Sequence, residues 1–151
     1  RLARDLPVDV RFIELMHIGY GRELSGPSSD KALELLKREW PDLHYVNEKR
    51  GNGPAEYFKS SRLKGRIGLI GANSHKFCDR CNRVRLTSAG MIKTCLCYDT
   101  TTDLLSLVRN GASEKELAQA MAEAIYGKPF SHCFTKTDKM TEYRMMNQIG
   151  G

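Results

Sequence analysis

The chain has 151 residues, 40% of them hydrophobic and 28% charged, with a net charge of +6. That is one domain's worth of chain, and its composition excludes a disordered class, while the lack of a long apolar run excludes a transmembrane helix. The basic charge is spread along the sequence, which argues against a nucleic-acid-binding tail and leaves an anionic membrane surface, a phosphorylated small molecule or simply a solvated basic face.

The chain opens Arg-Leu-Ala-Arg-Asp, without methionine or a leader-like apolar core, so the expectation is the C-terminal part of a longer cytoplasmic protein. After Pro7, apolar residues alternate along much of residues 8–16 and run into Gly19-Tyr20-Gly21, which predicts a strand ending in a glycine turn. Gly26-Pro27-Ser28-Ser29 breaks the chain. Either serine can cap a helix reaching Trp40, with Ala32, Leu35, Leu36 and Trp40 at helical spacing. Residues 43–46, 56–59 and 66–70 predict three further strands. Gly65, Gly68 and Gly71 frame the last of them, where a second backbone or a ligand can approach closely. Residues 83–87 and 91–96, joined through Ala89-Gly90, predict a hairpin. A helix is expected from Thr102 to Arg109, ahead of Gly111. Another runs from the capping box of Ser113 and Glu116 to Tyr126. Residues 131–151 show little periodicity. Helices and strands mix without strict alternation, so the fold class is α+β.

Five cysteines, an odd number with no secretory signal, point away from a disulfide framework. Cys78-x2-Cys81 has the spacing of a thiolate pincer, and the hairpin would return Cys95 to a place close to Cys81. Spacing alone leaves metal binding and buried thiols both open. A structural zinc ion wants four ligands, and Cys97 is the nearest fourth thiol. Three thiolates on a four-iron cluster would instead leave one iron free for substrate. Arg83 and Arg85 lie two apart on the predicted strand and so share one face, with Val84 and Leu86 on the other. They suit a phosphate or carboxylate between them, or simply the solvent side of an amphipathic strand.

The run Phe77-Cys78-Asp79-Arg80-Cys81-Asn82-Arg83-Val84-Arg85-Leu86-Thr87, followed by Gly90 and Cys95-Leu96, resembles the C-terminal cluster motif of the GTP 3′,8-cyclase family. These are radical S-adenosylmethionine enzymes that open molybdenum cofactor biosynthesis. Residues 10–16 resemble the last strand of that family's barrel. Gly53-Pro54-Ala55, Gly65-Arg66-Ile67-Gly68, Lys128-Pro129 with His132, and Met146 with Ile149-Gly150-Gly151 extend the likeness along the chain.

The resemblance implies a fold and a chemistry. Residues 1–25 would be the end of a partial (β/α) radical S-adenosylmethionine barrel, and 26–151 an α+β domain that binds an iron–sulfur cluster and GTP. Cys78, Cys81 and Cys95 would hold a [4Fe-4S] cluster whose open iron takes the guanine of GTP. Arg83, Val84 and Arg85 would contact GTP, Met16 would line the S-adenosylmethionine site, and Gly150 and Gly151 would reach into the active site. The activity implied is the lyase conversion of GTP to (8S)-3′,8-cyclo-7,8-dihydroguanosine 5′-triphosphate. Its radical comes from S-adenosylmethionine at a second [4Fe-4S] cluster. The family is often homodimeric, and no nucleic-acid or membrane partner is implied. Two departures stand out. His17 occupies a place where the family usually has proline, and the Cys-x3-Cys-x2-Cys motif of the radical-generating cluster is absent, since no cysteine precedes Cys78. The competing reading is a zinc-binding nucleic-acid module with Cys97 as fourth ligand. A scaffold with packed thiols is the third.

Overall fold

The computed structural model describes residues 1–48, 50–136 and 139–149. It is a mixed α and β structure that separates into two compact units. One comprises Arg1–Met16 with Ser25–Phe77, and the other His17–Leu24 with the chain from Cys78 onward. Residues 17–24 belong to the second unit, while β1 (Asp9–Ile13) belongs to the first.

The first unit carries α1 (Leu2–Asp5), α2 (Ser29–Glu39) and a four-stranded sheet. The strands are β1, β2 (His44–Val46), β3 (Glu56–Lys59) and β4 (Arg66–Ile70), in the order β1-β4-β3-β2. β4 pairs antiparallel with β3 and parallel with β1, in a register that sets Asp9 against Arg66 and Ile13 against Ile70. Ser28 caps α2 by accepting the Lys31 N–H, so the capping signal resolves to the first serine. Leu33, Leu36 and Trp40 of that helix region pack on a core of Ala3, Leu43, Phe58, Leu63, Ile67 and Leu69. The close approach expected around Gly65 is real: a Cβ there would lie 1.8 Å from the Val8 carbonyl oxygen, so only glycine admits the lead-in to β1.

At the end of β1, Glu14 is buried. It accepts the backbone N–H groups of Ser29 at 2.6 Å, Asn73 at 2.6 Å and Ser74 at 2.9 Å, together with the Ser74 hydroxyl. Burial works to raise its pKa, yet these donors hold the carboxyl down at about 2.

The second unit is built on a three-stranded antiparallel sheet of β5 (Arg85–Leu86), β6 (Met91–Lys93) and β7 (Thr102–Asp103), in that order. Two helices follow, α3 (Leu104–Arg109) and α4 (Glu114–Tyr126). The capping box predicted at Ser113 and Glu116 opens α4. The helix expected from Thr102 begins later. Thr102 and Asp103 pair with Ile92 and Met91, and the Asp103 carboxylate then caps α3 by accepting the Ser106 N–H. The hairpin strands are also shorter than expected: regular pairing starts at Arg85 and stops at Lys93.

Candidate functional site

The β5–β6 hairpin sets the geometry of the cysteine segment. Arg85 pairs with Lys93 and Leu86 with Ile92, and the Thr87 N–H donates to the Met91 carbonyl. The turn is closed by Gly90, whose φ of 73° lies in the left-handed region and whose missing side chain leaves room for Leu105. Extended by two residues, this register brings Cys95 opposite Arg83. Cys78 and Cys81 sit at the two ends of a single helical turn, with the Cys81 N–H donating to the Cys78 carbonyl.

All three sulfurs are half-buried, and each has its own N–H donor. The His132 N–H donates to Cys78 Sγ at 3.4 Å, Lys128 Nζ to Cys81 Sγ at 3.4 Å, and the Cys97 N–H to the Cys95 sulfur. Burial pushes the Cys95 thiol up, the Cys97 N–H pulls it down, and the charges of Cys78 and Cys81 push it up again. Among the described residues, no three His, Cys, Asp or Glu side chains close around one point as the ligands of a single ion do. Half-buried sulfurs with N–H donors can serve as thiolate ligands, each to one metal.

Arg85 joins this set. It is half-buried; burial lowers its pKa, the charges of Cys81 and Cys95 raise it, and the charge of Arg83 lowers it. Arg83 itself is exposed and precedes the regular strand. Val84 and Leu86 are exposed as well, so the apolar face of this short strand has no cover within the described chain. A cavity of about 350 Å³ opens at Cys95, bordered by Thr94, Thr101, Glu123 and Pro129 among others.

Cys97 is a different kind of thiol. It is fully buried and its Sγ accepts the Cys133 N–H at 3.0 Å; burial and the Cys133 side chain push it up to about 12, against the downward pull of that N–H. Cys133 is buried as well. Met16 lies just past β1 in the first unit, half-buried. Gly150 and Gly151 lie outside the described residues.

Two features had no signal in the sequence reading. Lys93, on β6, is wholly buried and donates to Glu142 Oε2 at 2.5 Å and to the Tyr98 carbonyl. Burial opposes the Glu142 charge, but Arg144 and Lys93 hold its carboxyl at about 2. The other is Lys128, noted in the sequence only as part of a Lys-Pro pair. It follows the end of α4 and also donates to the carbonyls of Cys81 at 2.8 Å and Arg83 at 2.9 Å.

Comparison with known proteins finds relatives along the whole chain. A family model described as Molybdenum Cofactor Synthesis C matches residues 8–134. A protein named GTP 3',8-cyclase from Clostridium perfringens (strain 13 / Type A) is 41% identical over 150 residues, covering 99% of this chain and 46% of that protein. One of the same name from Moorella thermoacetica is 40% identical over 154 residues, covering 100% of this chain and 46% of that protein. The namesake from Desulforamulus reducens is 38% identical over 154 residues, covering 100% and 47%. The chain thus spans a little under half the length of these curated relatives.

Proposed function

The chain belongs to the Molybdenum Cofactor Synthesis C family, and from that premise we propose that it is the C-terminal part of a GTP 3′,8-cyclase, holding the substrate of that reaction. Cys78, Cys81 and Cys95 would hold a [4Fe-4S] cluster, and the observation that carries this is the separate N–H donor at each of the three sulfurs. When bound, the cluster supplies an open iron as an anchor for the guanine of GTP.

The protein's own groups do the rest. Arg85, half-buried between the cysteines, and Arg83 beside it offer two guanidinium forks to the triphosphate, and an anion between them relieves their mutual repulsion. Val84 lies between them in sequence with its side chain on the other face of the strand, so its part in holding GTP falls to its backbone. The full-length enzyme would act on GTP held here with a radical made from S-adenosylmethionine at a cluster that this chain does not contain. Met16 belongs on the S-adenosylmethionine side and Gly150-Gly151 at the active site. Residues 1–25 would supply the end of the barrel through β1, an edge strand parallel to β4 whose outer backbone edge is open to a further strand, with Phe12 45% and Ile13 59% exposed on its two faces.

The test is metal content of the full-length enzyme after anaerobic reconstitution. Cys95→Ala is expected to lose one cluster's worth of iron and sulfide, about four of each, while Cys97→Ala retains both. Zinc in place of iron, lost in Cys97→Ala, would refute the cluster and favour the nucleic-acid module.

A further inference from the structure

Of the three N–H donors on the cysteine sulfurs, two are backbone groups and one is a side chain, Lys128. A single ammonium there meets three acceptors of one short segment: the Cys81 sulfur at 3.4 Å, the Cys81 carbonyl at 2.8 Å and the Arg83 carbonyl at 2.9 Å. An ammonium has three hydrogens and no acceptor, so this segment can engage all of them. The anchor is firm, because Lys128 follows directly on α4. The Gly127 N–H closes the helix on the Glu123 carbonyl at 2.8 Å, and the Lys128 N–H bonds the Ile125 carbonyl at 3.2 Å.

We propose that Lys128 is a positioning residue that couples the cluster to the substrate arginines, fixing the backbone from Cys81 to Arg83 while placing its positive charge on the Cys81 sulfur. This rests on the proposed cluster and GTP site and assigns that site a determinant outside the cysteine motif. Two consequences follow from the contacts. Tying down the carbonyls of Cys81 and Arg83 sets where the arginine run begins, so GTP affinity depends on Lys128. A cation and an N–H donor at a ligand sulfur favour the reduced, more negative cluster, so the reduction potential depends on it too.

The experiment uses the full-length enzyme, reconstituted anaerobically, with Lys128→Met and Lys128→Gln. Met keeps the length and apolar stem and removes all donors. Gln restores a neutral donor for the carbonyls. Three quantities are read: iron and sulfide content, GTP dissociation constant without S-adenosylmethionine, and the midpoint potential of the cluster whose paramagnetic signal shifts on adding GTP. Lys128→Met is expected to load iron, to bind GTP about tenfold more weakly, and to have a more negative potential. Lys128→Gln is expected to regain part of the GTP affinity while its potential stays negative of the wild type. A purely structural lysine would not move the potential of a fully loaded cluster. Wild-type potential in whichever variant retains its iron overturns the inference and leaves the proposed function standing. A wild-type enzyme whose second cluster never forms overturns both.

Discussion

The Glu14 carboxylate receives the backbone N–H of Ser29, the first residue of α2, at 2.6 Å, and so joins the end of β1 to the start of that helix. The same carboxylate binds the N–H groups of Asn73 and Ser74 beyond β4. One buried charge thus gathers three chain segments, and its removal leaves several donors without a partner. Glu14→Gln is expected to destabilise the first unit by about 2–3 kcal/mol, read as a lower urea midpoint.

The sign of the pH dependence follows. Glu14 and Glu142 are each held at about 2 in the folded chain, below the ordinary value of 4.5. A lowered folded-state pKa contributes stability that is complete above the unfolded value and is lost as pH falls through the folded one. Stability should therefore decline between about pH 4.5 and pH 2. Equilibrium unfolding followed across this window in Glu14→Gln should show a shallower decline than in the wild type. An identical slope would mean that the Glu14 interactions do not survive in solution.

Lys93 and Glu142 make the second test. Removing one member of a buried pair costs up to about 3–5 kcal/mol, and here Glu142 keeps Arg144 as a second partner at 2.8 Å. Lys93→Met is expected to destabilise the second unit by that order. Combining it with Glu142→Gln should recover part of the loss, since the buried carboxylate is then neutralised, while Arg144 gives up the charged partner it holds at 2.8 Å. Additive losses in the double variant would show that the two side chains act independently.

Gly90→Ala probes the hairpin turn. An L residue at a φ of 73° is strained, and its Cβ would lie 2.5 Å from Leu105 Cβ. Together these should cost about 2–4 kcal/mol, seen as a lowered melting temperature. The displaced turn also carries the return strand to Cys95, so iron retention should fall with it.

The arginines are not equal. Arg85 is half-buried and feels Cys81 and Cys95, whereas Arg83 is exposed. In the full-length enzyme Arg85→Ala should weaken GTP binding by about 1.5–3 kcal/mol, and Arg83→Ala by less. Isothermal titration with GTP, in the absence of S-adenosylmethionine, checks both. Wild-type affinity in the two variants would remove the substrate role.

What could be read from the sequence was local. Ser28, Ser113 and Glu116 act on amides three positions away, so their caps are written in adjacent residues. The glycine-flanked strand β4 and the Cys-x2-Cys turn are equally local. β7 was hidden because two residues carry no periodicity, and pairing with β6 decides their state. Alternation along Met91-Ile92-Lys93 gives no hint that Lys93 is buried, since that depends on Glu142, 49 positions away. Lys128 is silent for the same reason, its partner Cys81 being 47 positions distant. The cysteine spacing left metal binding and buried thiols open, and the arginine spacing an anion or plain solvent; only the fold supplies the donors at the sulfurs.

The parallel pairing of β1 with β4 has a kinetic meaning. Its partners, such as Asp9 and Arg66, are more than fifty positions apart, whereas β2, β3 and β4 form by neighbouring antiparallel turns. Loop closure makes such distant pairing slow, so the β2–β4 meander should assemble first and β1 should dock late. The strand that would meet the rest of a barrel is then the one that arrives last and leaves first, and its amides should exchange with solvent ahead of those of β3.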